Sequence, residues 1–336
     1  MSPAAPDWES RIGRRLRLRD LHILSTVVQW GSMAKAASHL AMSQPAVSEA
    51  IANLEAALGV RLLDRRPHGV EPTRYANALL KRGLVVFDEL RQGIKEIEFL
   101  ADPTAGEVRM GSIESLTAGF VPGVIDQFSR KYPRVLVHVV NTTAATQEFH
   151  ELRERTVDLL LGRILKPVAD DEIDAETLFR DEYFVVASSR SPWARRRKIA
   201  LADLVDEPWI LVPPNNVFAP FMAHAFSAQG LELPRAGVTS FSSAIRMQLV
   251  ATGRFLTIMA GSMLRHNAER WNLKALPIAL DALTLPVAIF KLKHRSVSPV
   301  VQKFIEYLRA AAKSPGRSPN WIRDGARRVR APSPNS

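Results

Sequence analysis

The apolar positions keep three different rhythms along the chain, and each predicts a different kind of structure. The first is helical and short. Leu18, Leu21, Leu24 or Ser25, and Val28 share one face of a helix, with Asp20 near its start to suit the dipole and Gly31 at its end. Ser32–Glu55 (SMAKAASHLAMSQPAVSEAIANLE) then reads as two short helices joined by a tight turn. Ser32 caps the first, whose Ala36, Ala37 and Leu40 form a small apolar side. After a break at Ala41–Met42, Ser43 caps the second, which tolerates Pro45 in its first turn. Val47, Ile51, Leu54 and Leu58 step by 4, 3 and 4 residues, and Gly59 stands at the C-cap. Small residues on the first helix let the second cross it closely, as a helix-turn-helix requires. The alternative is an αα-hairpin buried in a helical core. The outward residues of the second helix, Pro45, Ser48, Glu49 and Ala52 with Gln44 at its flank, are too small and polar for a second buried face. Gln44 and Ser48 suit base edges, and Gln pairs well with adenine.

The second rhythm is a hairpin followed by one long helix. RLLDRRPHGVEPTRY predicts two short strands around a Pro-His-Gly turn, a wing, with Arg65 and Arg66 set to enter a minor groove or simply to lie in solvent. His68 at the tip has no neighbouring His or carboxylate to make it a metal ligand. From Tyr75 to Leu100 a helix runs without proline, and Leu80, Leu84, Phe87, Leu90, Ile94 and Ile97 step by 4, 3, 3, 4 and 3. That mean spacing predicts a seam with another helix, either in a second copy or in the same chain. Ala101–Gly106 (ADPTAG) is a hinge, where Pro103 stops the helix.

Beyond Gly106 strands and helices alternate. Strands are expected at Val108–Gly111, Val135–Val140 and Asp158–Leu161, with helices at Leu116–Lys131, interrupted early by Pro122, and Thr146–Arg155. This βαβαβ series predicts a parallel open sheet. Further strands are expected at Leu178–Ala187, Trp209–Val212, Phe255–Met259, Leu276–Leu280 and Leu285–Lys291. The remaining helices fall at Ala200–Val205, Phe218–Gln229, Ser243–Thr252, from Ser262 and at Pro299–Ala312. A chain that leaves one α/β lobe and later returns to it makes two lobes with a cleft between them.

Composition narrows the reading only a little. At 336 residues, 46% apolar and 24% charged, the chain has room for two or three ordinary domains. The absence of cysteine excludes disulfides, thiolate metal sites and cysteine nucleophiles, and suits the reducing cytoplasm. Neither a signal peptide nor a membrane-spanning run is visible. The net charge of +11 is unevenly spread. Residues 1–100 hold 14 Lys/Arg against 11 Asp/Glu, residues 101–312 hold 25 against 22, and residues 313–336 hold 6 against 1. Nearly half the excess lies in a Pro-, Ser- and Arg-rich tail, so the case for nucleic acid rests on the helix-turn-helix. Phosphate-loop, nucleophile-elbow, zinc-protease and dinucleotide motifs are all missing, which argues against an enzyme. No cofactor is expected.

The run GSMAKAASHLAMSQPAVSEAIANLEAALGVRLLDRRPHGVEPT resembles the N-terminal signature of the LysR-type transcriptional regulators, filling nearly every position of that long motif. The resemblance implies a winged helix-turn-helix, a linker helix that pairs antiparallel with its copy, and a two-lobed periplasmic-binding-protein-like effector domain. Residues 157–218 look most like the branch that includes galactose-binding-protein regulators. In family terms the chain divides into a disordered basic arm (1–16), a DNA-binding domain (17–75), a dimerisation helix (76–102), an effector domain (104–312) and a disordered basic tail (313–336). Lobe I is expected at about 104–176 and 276–312, and lobe II at about 177–275. The implied partners are double-stranded promoter DNA, a small-molecule effector (a sugar, sugar acid or aromatic or other organic carboxylate), further copies as a dimer of dimers, and RNA polymerase, with no membrane.

Departures from the pattern matter as well. Leu63 stands for a usual Phe, Ala76 for a usual Gly, and Glu49, Ala50 and Ala52 occupy places where basic or amide residues are frequent. More of the DNA affinity must then come from arginines. The expected contact set is Arg17, Arg19, Ser32, Ser43, Gln44, Pro45, Ser48, Arg65 and Arg66, and the dimer seam is Leu80, Leu84, Phe87, Leu90, Ile94 and Ile97. For the cleft, the loop after the first strand offers Ser112, Glu114 and Ser115, and the loop after the second offers Thr142 and Thr143. Asn215, Ser242 and Ser243 face them from lobe II. Plain helix capping explains the serines and threonines equally well. Glu114 suits a hydroxyl or an amine better than a carboxylate. Arg163 suits either a ligand carboxylate or a hinge ion pair.

Overall fold

The computed structural model describes residues 16–67, 69–142, 148–278, 280 and 283–313, in two compact units, residues 1–91 and 92–336. Nearly all of the expected arm and tail, together with His68 and Thr143, lies outside the described residues.

In the first unit three helices, α1 (Leu18–Trp30), α2 (Met33–His39) and α3 (Gln44–Leu58), close on Ile23, Leu24, Val27, Ala36, Val47, Ile51 and Leu54, all buried. Caps set their limits. The Ser32 and Ser43 hydroxyls accept the Lys35 and Ala46 N–H groups at 3.5 and 3.3 Å, and α3 ends on Gly59 in the left-handed region. The wing is β1 (Leu63–Arg66) paired antiparallel with β2 (Gly69–Pro72). Glu55 on α3 ties its base, accepting the N–H groups of Leu62 and Leu63 at 2.7 and 3.3 Å. Gly69 is required where the wing meets the end of α1. Its φ is +143°, and a Cβ there would stand 2.2 Å from the Gly31 carbonyl oxygen, which accepts the Val70 N–H at 2.9 Å. Leu63 and Ala76 are buried in this core, so both departures from the family pattern are packing residues.

Helix α4 (Arg74–Ala101) is 28 residues long. Of the six expected seam residues, Leu84, Leu90, Ile94 and Ile97 are exposed. The other two turn towards their own unit: Leu80 packs on the helix-turn-helix core, and the half-buried Phe87 stands edge-on to His22 with ring centres 6.0 Å apart.

The second unit is two α/β lobes sharing a continuous sheet. In lobe I, β3 (Ala105–Ser112) lies between β4 (Arg134–Asn141) and β5 (Leu159–Arg163), all three parallel. The crossing is made by β6 (Ile173–Ser188). Its first ten residues pair antiparallel with β11 (Thr284–Leu292), which also pairs with β5. Its last six pair with β9 (Leu256–Ala260) and β10 (Leu273–Ala275) of lobe II. Beyond β9 lie β7 (Trp209–Leu211) and then β8 (Ala236–Thr239), parallel to it, and lobe II carries the helices α8 (Ala219–Ser227), α9 (Ser243–Ala251) and α10 (Gly261–Asn267).

Three expectations change. The described residues of Leu276–Leu280 form no strand; Leu276, Ile278 and Leu280 alternate because they pack into the lobe II core, and the pairing segment is β10. The helix expected at Leu116–Lys131 divides into α5 (Glu114–Thr117) and α6 (Phe120–Lys131), and the break falls at Gly119, while Pro122 sits harmlessly in the first turn of α6. Of the helix expected at Thr146–Arg155, residues 146 and 147 lie outside the described residues, and the described part holds a single turn, α7 (His150–Arg153).

The chain ends its described course in α11 (Pro299–Lys313), which covers lobe I with Val300, Phe304 and Leu308. Arg309 grips Glu176 of β6 through two bonds of 2.7 Å. Those bonds hold the Glu176 carboxyl below its ordinary value of 4.5, against partial burial. A lowered carboxyl stabilises the fold above pH 4.5, and that stability is lost as the pH falls through the folded value. Arg309 is exposed and Glu176 only half-buried, so Arg309→Gln is expected to cost only about 0.5 kcal/mol at neutral pH. Urea unfolding in strong acid should show the wild type and the variant converging.

Candidate functional site

The DNA-facing candidates sit on the two helix starts and the wing. Gln44, Pro45 and Glu49 of α3 are exposed and Ser48 is half-buried, while Ala50 is buried at 7% exposure. Ala50 therefore belongs to the core, and only Glu49 and Ala52 remain on the outer face. Ser32 and Ser43 spend their hydroxyls on capping. Arg17 is exposed at the N-cap of α1, and Arg19 reaches the Met42 sulfur at 3.9 Å. On the wing, Arg66 is tied to Glu71 at 3.1 Å, whereas Arg65 has no acidic partner within ion-pair distance among the described residues.

The cleft between the lobes holds a cavity of about 280 Å³. Lobe I contributes Ile113, Glu114, Ser115, Thr142, Arg163 and Leu165 to its walls. Lobe II contributes Tyr183, Asn215, Phe218, Phe241, Ser243 and Arg246, among others. The loop after β3 places Glu114 so that its Oε1 accepts the Ser243 N–H at 2.5 Å, across the cleft, at the start of α9 (Ser243–Ala251). A carboxylate at a helix N-terminus meets both an orphan donor and the positive end of the dipole. The Thr142 hydroxyl is buried without a hydrogen-bond partner among the described residues.

Arg163, at the end of β5, is 4% exposed. It donates to Ser115 Oγ at 2.6 Å and to Asp181 Oδ2 at 2.7 Å, and Asp181 also accepts the N–H and hydroxyl of Ser262 at 2.9 and 2.6 Å. Of the two roles open to Arg163, the structure contains the hinge ion pair. Its guanidinium also lies 5.3 Å from the Tyr183 ring centre, and burial raises the Tyr183 phenol above its ordinary value, so that side chain stays neutral.

The remaining cleft candidates divide. Ser112 is fully buried, donates to the Ile113 carbonyl at 3.4 Å and does not line the cavity. Ser242 caps α9, accepting the Ile245 N–H at 3.4 Å, and lies outside the lining, while Asn215 and Ser243 lie within it.

The residues that sequence reasoning missed are the aromatic wall and Arg246. Tyr183 stacks on Phe218 with ring centres 4.8 Å apart. Arg246 is 8% exposed while its neighbour Ile245 is 49% exposed, an inversion of the usual preference. The signal was present: Arg246 shares the inward stripe of α9 with Ser243, Met247 and Val250.

A winged helix-turn-helix followed by a two-lobed α/β domain with a walled cleft defines a DNA-binding protein that carries its own small-molecule sensor. Residues 18–77 match the bacterial regulatory helix-turn-helix protein model of the lysR family, and residues 101–313 match the LysR substrate binding domain. The chain belongs to the LysR family of transcriptional regulators. It is similar to the HTH-type transcriptional regulator GbpR of Azospirillum brasilense, 29% identical over 300 residues, covering 89% of this chain and 87% of GbpR. In fold it is similar to CbnR, a LysR family transcriptional regulator, with a TM-score of 0.58 and 21% identity over 88% of this chain and 99% of that one. It is also similar to full-length OxyR from Pseudomonas aeruginosa, with a TM-score of 0.60 and 20% identity over 89% and 95%. No helix among the described residues is long and apolar enough to cross a membrane.

Proposed function

We propose that this regulator works in the cytoplasm as a dimer of dimers. In this reading an effector closes the cleft, and closure resets the spacing of the DNA-reading heads and the contacts with RNA polymerase. The observation that carries the proposal is the cavity whose walls come from both lobes, with Glu114 of one lobe bonded to the first turn of a helix of the other. A ligand there touches both lobes at once and so favours one arrangement of them. The exposed stripe Leu84, Leu90, Ile94 and Ile97 supports pairing of α4 with a second copy. The effector is of the sugar, sugar-acid or organic-carboxylate kind. A thermal-shift screen of those three groups on the full-length protein tests the sensor, since a ligand bound only by the folded state raises the melting temperature. A screen with no shift, or shifts that leave promoter footprints unchanged, defeats it.

On the DNA side, Gln44, Pro45 and Ser48 reach base edges, while Arg17, Arg19 and Arg65 hold phosphates or the minor groove. Because Arg65 has no acidic partner among the described residues and Arg66 is held by Glu71, Arg65→Ala is expected to weaken promoter binding more than Arg66→Ala does. It should also lower the salt slope of log K by about 1. Fluorescence anisotropy at several salt concentrations measures both.

A further inference from the structure

Two guanidinium groups line the cleft cavity, and only one is neutralised. Arg163 has Asp181 at 2.7 Å. Arg246 donates from Nε and Nη2 to Thr257 Oγ1 at 3.3 and 3.1 Å, and from Nη2 to the Ile258 carbonyl. These acceptors are all neutral. Among the described residues no carboxylate stands within ion-pair distance of Arg246. Its Nη1 donates to none of them. Glu114 acts on it only through space, since the Glu114 oxygen bonds the Ser243 N–H. Desolvation is the main influence on this guanidinium, and it weakens the hold on the proton. A buried cation beside a cavity, without a counter-ion, is an unfavourable arrangement that a bound anion would relieve.

We infer, building on the sensor reading above, that the effector is a small monoanionic organic acid whose carboxylate docks on Arg246 and whose apolar body lies against Ile113, Leu165, Phe218 and Phe241. The lining supports the body: these side chains, with Ile258 and Met263, make most of the wall apolar. The volume of about 280 Å³ is at the low end for ligand pockets and suits a small molecule. A single anionic group matches a single uncompensated cation, and a second would face Glu114. A neutral sugar needs hydrogen-bond partners around its whole ring and would leave Arg246 uncompensated.

The test uses the full-length protein, with thermal denaturation as the readout. The probes are straight-chain, branched and aryl monocarboxylates, including hexanoate and phenylacetate, each against its primary amide, with galactose as the neutral polyol. At least one acid should raise the melting temperature while its amide does not. Arg246→Gln should weaken the apparent affinity for that acid about tenfold to a hundredfold, the loss of a charge-assisted hydrogen bond. Arg246→Lys keeps the charge and should keep a weakened response; it carries the comparison if Arg246→Gln loses its cooperative melting. Stabilisation by galactose, or by amides as strongly as by acids, leaves the sensor standing and overturns the acid. A response to acids undiminished in both variants overturns Arg246 as the anchor. No response to any acid overturns the proposal, and the sensor then rests on the broader screen described above.

Discussion

Asp158→Ala is expected to destabilise the effector domain by about 3–5 kcal/mol, the cost of removing one partner from a buried ion pair. Asp158 is 1% exposed at the entrance to β5. Its Oδ2 accepts the Arg109 main-chain N–H at 2.9 Å, its Oδ1 takes Arg109 Nη2 at 3.4 Å and Arg295 Nη2 at 3.2 Å, and Lys95 Nζ of α4 stands 3.9 Å away. Alanine removes the carboxylate that three cations face and deprives a main-chain donor of its acceptor. Asp158→Asn retains an oxygen for that N–H and should cost less. Urea unfolding followed by tryptophan fluorescence orders the three proteins, and a loss below about 1 kcal/mol for the alanine variant would contradict the ion-pair account. Lys95, which also bonds Glu107 at 3.2 Å, fastens the last turns of α4 to lobe I through this hub. The variant should therefore lose effector-dependent changes in promoter footprint before it loses DNA binding itself.

Gly119→Ala is expected to hold the lobes apart. The Gly119 backbone has a negative φ of −134°, and the constraint on a side chain there is space. A Cβ there would stand 2.6 Å from Met263 Cα, 2.8 Å from the Ser262 carbonyl oxygen and 2.9 Å from the Met263 nitrogen, all main-chain atoms of lobe II. Main chain cannot rotate aside as a side chain does, and reaching ordinary contact requires a shift of about 1 Å. Three bonds cross this region: Ser262 to Asp181 by its N–H and hydroxyl, and Asn267 Nδ2 to the Ala118 carbonyl at 2.7 Å. The expected cost is about 1–3 kcal/mol, with a loss of ligand-induced stabilisation. Gly123→Ala is the control, because its Cβ would meet only the His266 ring at 3.6 Å. Thermal shifts that remain equal in both variants would show that closure does not need the Gly119 approach.

The DNA-reading end was legible because its signals are local. Capping serines, an apolar stripe at helical spacing and glycines at the ends of α1 and α3 lie within some forty residues, so the pattern and the packing coincide. Ala50, buried although it stands where the family often has basic or amide residues, marks the limit of that economy. A small residue suits either a reading face or a close helix crossing, and only burial separates the two. The long helix was equally clear, but which seam residues face outwards was not. Leu80 and Phe87 spend their surface on their own unit, and periodicity carries no record of that.

The cleft was legible only in outline. The loops after β3 and β4 were identified, because in an open α/β sheet ligands gather beyond the strand ends. Ser112 and Ser242 nevertheless fell outside the cavity, since a residue on such a loop points to the ligand or to its own backbone according to a single rotation. Arg246 escaped because a charged residue beside Ile245 suggests a solvated face.

The sequence by itself determined the family, the reading head, the long helix and the two-lobed order of strands, since caps, periods and turn residues act over short distances along the chain. Tertiary structure alone decided the chemistry of the cleft: that Arg163 is neutralised by Asp181, that Glu114 reaches Ser243 across 129 positions, and that Arg246 is buried with no carboxylate at ion-pair distance among the described residues. Each of those facts depends on which distant charge folding brings within a few ångströms. In a low-dielectric interior that distance determines which groups are satisfied and which await a ligand.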